Sequence, residues 1–337
     1  MRPTNFATHL TAFLTSYLPA QRNVSPNTIR AYRDAFVLLL RYCRDVRRLA
    51  PDRLSLEQID PSLVLDFLDH LEKERRCAPR TRNLRLTAVH AFFRYLQTEE
   101  PGLLLRCQRI LAIPLQRCAP PAVEYLSPES LAAILHQPDL GQRAGRRDAI
   151  LLSLLYDTGA RVQELIDLSV RDVRLESPAQ VRLTGKGRKT RVVPLMNSTV
   201  ALLRDYLCEQ GLIGPEPFDK PLFRNRFGGR LSRSGIRYLV EKYVRKASIS
   251  QPAIPLPKVS PHTFRHSKAM HLLQTDNPLV VIRDFLGHTD IKSTEIYARA
   301  NLDMKRRALD KASTKSPTPA IPSWQKDKGL LDWLTSL

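Results

Sequence analysis

Six polar residues after position 160 are of the types that phosphoryl transfer requires: two arginines, a lysine, two histidines and a tyrosine. In chain order they are Arg161, Lys186, His262, Arg265, His288 and Tyr297, at intervals of 25, 76, 3, 23 and 9 residues. Arginine guanidiniums hold phosphate oxygens through paired hydrogen bonds. A tyrosine hydroxyl can act as a nucleophile, and a lysine can protonate a leaving alkoxide. These residue types together predict attack on a phosphodiester without a metal ion.

Other chemistries find little support in the sequence. His262 and His266 lie four residues apart on a predicted helix, but Thr263 stands where the metalloprotease pattern needs glutamate, and no third metal ligand is evident. The pair Gly185 and Gly187 is too short for a dinucleotide loop, and the sequence contains no GxxxxGK[ST] phosphate loop. No paired carboxylates of the kind used by two-metal nucleases stand out. We therefore expect neither a metal nor a cofactor.

The charge of the chain indicates a polyanionic partner. Its 337 residues include 53 Lys and Arg against 33 Asp and Glu, which gives a formal net charge of +20 and a pI near 10.1. Such a field favours nucleic acid, with an anionic membrane surface as the less frequent alternative. The most apolar run, residues 149–156, is too short to cross a bilayer, and the five scattered cysteines form no CxxC pair. These features predict a cytoplasmic protein with reduced thiols and no membrane partner.

The pattern of the first third of the chain is helical. Ser25-Pro26 has the form of a helix cap followed by proline, and it opens a helix predicted to run to Cys43. Further helices are predicted over 62–71 and 80–96. Prolines and poor periodicity after Ile113 indicate a linker. The predicted organisation is a helical domain at 1–112, a linker at 113–126, a second domain at 127–311 and a flexible tail at 312–337.

The second domain is predicted to combine helices with one small β-hairpin, so that the fold class is mainly α with a small β-sheet. A helical pattern runs from Ser127 to Asp157, and a hairpin is predicted over 180–194. Helices are then expected from about 197, from Ser232, and over the last three ranges, 261–274, 278–286 and 291–300. Basic residues at the start of the 80–96 helix, at the hairpin tip and on the Ser232 helix are candidate DNA contacts, with a solvated surface as the alternative. They are Arg80, Arg82, Arg85, Arg188, Lys189, Arg233 and Arg237.

Four segments, in this order, resemble the characteristic boxes of the tyrosine recombinases, also called the phage integrase family. The segments are Thr158-Gly159-Ala160-Arg161 with Glu164-Leu165, Gly185-Lys186-Gly187-Arg188-Lys189-Thr190-Arg191, Ser260-Pro261-His262-Thr263-Phe264-Arg265-His266, and Leu286-Gly287-His288 with Thr294-Glu295-Ile296-Tyr297. Residues 81–96, together with Ser25, Thr28 and Tyr32, resemble the helical core-binding domain of the same family. The resemblance is closest to Xer-like and mobile-element recombinases of two-domain build.

The resemblance implies DNA strand exchange without metal or nucleotide. Tyr297 would form a 3′-phosphotyrosyl bond, Arg161 and Arg265 would hold the phosphate, and Glu164 would brace Arg161. Lys186 would protonate the 5′-oxygen, His262 would assist proton transfer, and His288 would donate to the phosphate. A homotetramer on double-stranded DNA with inverted half-sites, alone or with a related recombinase, would pass through a Holliday junction.

The resemblance leaves several functions open. The chain could integrate, excise or transpose a mobile element, or it could resolve chromosome or plasmid dimers as Xer-like proteins do. A DNA-binding accessory protein of the same fold that does not cut is a further alternative, and the presence of all six candidate residues separates it from a recombinase. A relaxing topoisomerase or a telomere resolvase would use the same chemistry, and no residue distinguishes these two from a recombinase.

Overall fold

Two hydrophobic cores divide the chain into two units. The computed structural model describes residues 3–119, 123–212, 219–288, 290–300 and 330–335. One unit comprises Met1–Pro121 and the other Ala122–Leu337. The boundary between them lies inside the segment 113–126, and the four predicted segments with their assigned roles stay predictions. Within the described ranges, no helix combines the length and apolar composition that crossing a bilayer requires.

The first unit is entirely helical over its described residues. Its α-helices are α1 (Asn5–Ala12), α2 (Pro26–Asp45), α3 (Pro61–Lys73), α4 (Pro79–Glu99) and α5 (Leu104–Leu111), with a π-helical stretch at Phe13–Gln21 after α1. Helix α4 packs against α2, α3 and α5. Its Phe92 ring lies at the centre of an aromatic cluster, with ring centroids 5.8, 5.4 and 5.2 Å from those of Phe6, Phe13 and Phe36. This cluster anchors the core of the first unit.

The second unit is built around helix α7. Its helices are α6 (Pro128–Leu135), α7 (Arg143–Asp157), α8 (Val162–Asp167), α9 (Asn197–Glu209), α10 (Arg233–Ser250), α11 (Pro261–Gln274), α12 (Leu279–Leu286), α13 (Lys292–Ala300) and α14 (Leu330–Thr335). Five residues of α7 are completely buried, namely Ile150, Leu151, Leu152, Leu154 and Leu155. Helix α7 packs against α6, α8, α9 and α11, so that it fixes the helices that carry the candidate arginines.

Three antiparallel strands form the sheet of this unit. They are β1 (Val173–Arg174), β2 (Gln180–Thr184) and β3 (Thr190–Pro194), in the order β1-β2-β3. Val181 faces Val193 and Leu183 faces Arg191 across the β2–β3 ladder. Opposite residues of an antiparallel pair share a face, and Val181 and Leu183 are buried, so Arg191 points toward the core. Helix α8 packs on β2, and α12 packs beside β3.

The helix starts follow from capping chemistry that the sequence displays. Ser25 accepts a hydrogen bond from the Thr28 amide at 3.3 Å, and Ser127 and Ser232 cap α6 and α10 in the same way. Gly287 adopts a left-handed conformation (φ 65°) that ends α12. The mainly α fold with a small β-sheet is confirmed, and the helices predicted from Ser25, over 261–274 and over 278–286 lie within two residues of their predicted bounds.

Two elements differ from the sequence expectations. The helix predicted without interruption from Ser127 to Asp157 is broken between α6 and α7, because Pro138 lacks an amide proton and Asp139 accepts a hydrogen bond from the Gly141 amide. Strand β1 is a third strand that the sequence analysis did not predict, because a segment of two residues is too short to show an alternating pattern. Most of the predicted tail at 312–337 lies outside the described residues, which include only α14 there.

Arg82 corrects one predicted DNA contact. Its side chain is 7% exposed and lies 3.2 Å from Glu72, so it is not available on a basic surface. The reason is helical spacing, since Arg82 shares a stripe of α4 with the buried residues Leu86, Val89, Phe93 and Leu96. Arg85 is half-buried and donates to the Ala31 carbonyl, whereas Arg80 is exposed.

A buried hydrogen bond between α7 and α10 provides a test of this core. The Tyr243 hydroxyl donates to Asp148 Oδ2 at 2.8 Å, and Asp148 is 1% exposed. We expect Tyr243→Phe to lower the free energy of unfolding by about 1 to 2 kcal/mol, because the carboxylate loses a buried donor. Urea unfolding followed by circular dichroism measures the change. Tyr238→Phe on the same helix is the control, since Tyr238 is 65% exposed; equal losses in the two variants would contradict the assignment.

Candidate active site

The centre of the site is the buried carboxylate of Glu164. Its Oε2 accepts hydrogen bonds from the Arg161 amide at 2.9 Å and from Arg191 Nη2 at 2.8 Å, and its Oε1 accepts from Arg161 Nη1 at 2.8 Å. The Glu164 side chain is 2% exposed. Burial raises the pKa of this carboxyl, but the hydrogen bonds and charges of Arg191 and Arg161 outweigh burial and hold the pKa at about 2. Glu164 therefore stays ionised and joins the start of α8 to strand β3.

Arg265 on α11 is buried and fixed by two backbone carbonyls. Its Nη1 donates to the Gly159 carbonyl at 2.6 Å, and its Nη2 donates to the Leu286 carbonyl at 2.7 Å. Burial first, and then the positive charges of Arg161 and Arg191, lower the pKa of Arg265 to about 9. Gly159 allows this arrangement because its φ is 56° and a Cβ there would lie 2.7 Å from Leu286 Cδ2.

Tyr297 on α13 lies against two histidines. Its hydroxyl is 2.9 Å from His266 Nδ1, and its ring stacks on the His288 ring with the centroids 6.4 Å apart. The residue is only 1% exposed. Burial raises the pKa of the Tyr297 hydroxyl, and the positive charges of Arg265 and Arg161 oppose that rise. The phenol is therefore neutral at physiological pH, in a cationic surrounding that favours its ionised form.

The two candidate histidines differ in their environments. His288 Nδ1 lies 2.9 Å from the buried Thr294 hydroxyl, and burial, followed by the charges of Arg265 and Arg161, lowers the pKa of His288 to about 4. His262 is exposed at the start of α11. Partial burial of its ring, and then the charge of Arg265, lower the pKa of His262 as well. Both imidazoles are neutral at physiological pH and keep one N–H donor each.

Two cavities open on either side of Arg161. One of about 810 Å³ is lined by Arg161, His262, Arg233, Arg237, Arg245 and Lys258, among others. The other, of about 770 Å³, is lined by Arg161, Lys189, Arg191, Gly287 and His288, among others. Arg161 lines both cavities, and its side chain is 36% exposed. In the described ranges, no three His, Cys, Asp or Glu side chains come together as a potential metal site.

The tip of the hairpin carries Lys186. Its backbone belongs to a short 3₁₀ turn, Lys186–Arg188, in which Gly187 has a φ of 75°. The side chain of Lys186 lies outside the part of the structure that is described. Arg188 and Lys189 are exposed on the same turn. A left-handed residue at the tip makes glycine the favoured type at position 187.

The structure brings five of the six predicted residues and Glu164 together, leaving Lys186 undetermined. Arg161, His262, Arg265, His288 and Tyr297 are linked by the contacts and charges above. Sequence reasoning did not select Arg191 or His266 as site residues. The sequence did contain a signal for Arg191, because it lies two residues before Val193 on the strand and therefore shares the buried face. His266 was considered only as a metal ligand.

Comparisons with known proteins identify the family of the chain. Residues 124–304 match the phage integrase family, and residues 11–100 match the phage integrase N-terminal SAM-like domain. The putative integrase/recombinase y4rC of Sinorhizobium fredii is 39% identical over 329 residues, which cover 97% of each chain. Tyrosine recombinase XerC of Pelobacter propionicus is 31% identical over 90% of this chain and 94% of its own.

Solved structures show the same fold. The XerH site-specific recombinase bound to difH substrate superposes with a TM-score of 0.65 at 23% identity, covering 89% of this chain and 84% of its own. The Tn1549 transposon integrase bound to transposon right-end DNA gives a TM-score of 0.66 at 17% identity, covering 90% of this chain and 99% of its own. From the family matches and the relatives together, we conclude that the chain belongs to the phage integrase family of tyrosine recombinases, enzymes that cleave and rejoin DNA.

Proposed function

We propose that this protein is a site-specific recombinase of a mobile element, in which Tyr297 attacks a DNA phosphate and forms a 3′-phosphotyrosyl bond. The observation that carries the proposal is the convergence on one centre of a tyrosine hydroxyl, two neutral imidazoles and three guanidiniums from separate segments. Such a centre supplies a nucleophile and the positive charge that a phosphorane-like transition state requires.

Arg161 and Arg265 are proposed to hold the non-bridging oxygens of the scissile phosphate. Arg161 lines both cavities. Arg265 is oriented by backbone carbonyls, and its guanidinium lies close to the other charged residues of the site. A bound phosphate would help to balance the positive charge of the guanidiniums. In the described part of the site, Glu164 is the single carboxylate that accepts hydrogen bonds from the arginines of the site. Glu164 is therefore a positioning residue that holds Arg161 through both its backbone and its side chain.

Proton transfer is proposed to involve Lys186, His262 and His288. Lys186, at the tip of the hairpin, would protonate the leaving 5′-oxygen. With its Nδ1 accepting from the Thr294 hydroxyl, His288 would keep its N–H at Nε2 and donate it to the phosphate. His262 would assist proton transfer from the rim of the larger cavity.

The larger cavity is the proposed groove for the DNA backbone in this unit. Arg233 and Arg237 are exposed on the first turns of α10, and both line this cavity beside Arg161 and His262. Arginines beside a groove neutralise phosphates and release counterions. Arg188 and Lys189 on the hairpin and Arg80 in the first unit are the other exposed contacts we propose. The half-buried Arg85 stays a candidate contact, whereas the buried Arg82 is withdrawn.

The proposed assembly is a tetramer on two DNA sites, each with inverted half-sites, in which the first unit and the second unit together bind one half-site. Similar folds are described in complexes with difH substrate, transposon-end DNA and a COC′ core site. Strand exchange between two duplexes needs four nucleophiles, which is the reason for four copies of Tyr297. The proposed intermediate is a Holliday junction.

The relatives bear on the biological role. A relative named as an integrase/recombinase is 39% identical over nearly the whole chain, which supports action on a mobile element. The XerC and XerD relatives, at 30 to 35% identity, support dimer resolution as the second candidate. Covalent protein–DNA adducts captured in host cells and sequenced would separate the two, because a mobile-element enzyme is expected at element ends and a dimer-resolving enzyme at one site per replicon.

The nucleophile assignment gives a direct prediction. We expect Tyr297→Phe to keep specific DNA binding and to lose the covalent adduct completely, because only the phenolic oxygen is removed while the ring still packs against Met270 and Leu286. The assay uses a nicked suicide substrate in the presence of EDTA and a denaturing gel, with binding measured separately by mobility shift.

Tyr156→Phe is the matched control for this experiment. Tyr156 is a half-buried tyrosine whose hydroxyl, like that of Tyr297, bonds a histidine of α11, in this case His271 at 2.8 Å. It should retain adduct formation. A slow-migrating adduct that persists in Tyr297→Phe would show that another residue attacks the phosphate, and loss of the wild-type adduct in EDTA would remove the metal-free chemistry.

The depressed pKa of Glu164 predicts a specific acid sensitivity. A carboxyl whose pKa falls from 4.5 to about 2 on folding adds stability above pH 4.5 that is lost as the pH falls toward 2. Between about pH 5 and pH 3 we expect the wild type to lose about 2 kcal/mol more unfolding free energy than Glu164→Gln does. Urea unfolding at each pH measures this, and the exposed Glu124→Gln is the control. Parallel pH curves for wild type and Glu164→Gln would refute a buried ionised carboxylate.

A further inference from the structure

The hydroxyl of the proposed nucleophile contacts a histidine that the resemblance assigns no role. Among the described residues, His266 Nδ1 is the hydrogen-bond partner found for the Tyr297 hydroxyl, at 2.9 Å, and the two ring centroids are 5.7 Å apart. His262, to which the sequence assigned proton transfer, lies one helical turn earlier on α11 and lines the larger cavity. The contact to the reacting oxygen therefore belongs to His266.

The buried nucleophile needs a proton acceptor within the protein. Tyr297 is 1% exposed, and burial raises the pKa of its hydroxyl, so neither bulk water nor spontaneous ionisation supplies the phenolate at neutral pH. Burial first, and then the charges of His262 and Arg265, lower the pKa of His266. His266 is therefore neutral when the phenol is protonated, which is the pairing that proton transfer requires.

The charged and titratable groups around this pair come from three elements. Arg265 and His262 lie with His266 on α11, His288 follows α12 and stacks on Tyr297, and the charge of Arg161 reaches Tyr297 from the start of α8. The two guanidiniums stabilise a phenolate and discourage an imidazolium. The pKa of Tyr297 is raised and that of His266 is lowered, so the neutral pair is the resting state, and a phosphate that partly neutralises the guanidiniums would make an imidazolium at His266 less unfavourable.

We propose that His266 is the general base of strand cleavage, an inference that rests on the proposed function and names the proton acceptor for it. In the tautomer with its proton on Nε2, Nδ1 takes the proton of Tyr297 as the phenolic oxygen forms its bond to phosphorus. The bond from phosphorus to the 5′-oxygen breaks, and that oxygen receives its proton from the acid at the hairpin. On rejoining, the 5′-hydroxyl gives its proton back to the deprotonated hairpin group as its oxygen bonds to phosphorus, the bond from phosphorus to the Tyr297 oxygen breaks, and His266 returns its proton to that oxygen.

The test replaces His266 by an acceptor that cannot be protonated. In His266→Asn, the amide oxygen takes the position of Nδ1 and still accepts a hydrogen bond. We expect a single-turnover cleavage rate at neutral pH roughly 100-fold below the wild type, a rate that rises with pH as hydroxide substitutes, and unchanged DNA affinity. A rate equal to or above that of the wild type would overturn the proposal and would show that the hydrogen bond of His266 only holds the buried tyrosine in place.

His271→Asn is the matched control, because His271 Nδ1 bonds the Tyr156 hydroxyl at 2.8 Å on the same helix. We expect that variant to cleave within a few-fold of the wild type. A substrate with sulfur at the bridging 5′ position needs no acid for its leaving group, so it should restore a Lys186 variant and leave His266→Asn slow. Rescue of His266→Asn by this substrate would instead assign His266 as the acid and overturn the proposal.

His266→Gln provides the same test if the asparagine variant does not fold, as judged by thermal unfolding. The wild type distinguishes the two levels of inference. Absence of any wild-type adduct contradicts the proposed function, whereas a wild-type adduct together with a fast His266→Asn or His266→Gln variant contradicts the general base alone.

Discussion

The ion pairs of one buried carboxylate hold the two halves of the active centre together. Glu164 joins the first residue of α8 to strand β3, since Arg161 and Arg191 both donate to it. The backbone of the hairpin also closes on this carboxylate, because a Cβ at Gly185 would lie 2.9 Å from Glu164 Oε1. A buried charge is tolerated only when it is paired and hydrogen-bonded, so this group has one stable position. The position of Glu164 therefore also constrains where the hairpin that carries Lys186 lies.

Over the described residues, three guanidiniums share this centre with one carboxylate that is hydrogen-bonded to two of them, that of Glu164. Arg265 is buried with two neutral carbonyl partners, and its guanidinium shares the site with those of Arg161 and Arg191. This arrangement costs folding free energy, which a bound phosphate would return as binding energy. Burial is the larger cause of the lowered pKa values of His288 and His266, and these positive charges lower them further, since an added imidazolium would increase the repulsion. The same positive charges therefore lower the stability of the fold and support the proposed chemistry.

The sequence predicted well what local chemistry decides. Serine caps and helical periodicity placed most helices, and motif spacing selected residues that the fold brings to one centre. The sequence predictions failed where the role of a residue depends on a contact with a residue far away in the chain. Arginine is a residue type common on surfaces, but its spacing places Arg82 in the buried stripe of α4, where it lies 3.2 Å from Glu72. Arg191 and His266 gained their importance from contacts to Glu164 and Tyr297, which lie 27 and 31 residues away along the chain.

Leu286 contacts both the arginine proposed to hold the phosphate and the surroundings of the tyrosine proposed to attack it. Its carbonyl accepts from Arg265, its side chain approaches Gly159 closely enough to exclude a Cβ, and it packs in the cluster that buries Tyr297. A shift of the last turn of α12 would therefore move an acceptor of the buried arginine and a wall of the nucleophile pocket at the same time. Close-packed interiors transmit such shifts instead of absorbing them. A movement of this turn that exposed Tyr297, the proposed nucleophile, would consequently also displace the carbonyl that orients Arg265.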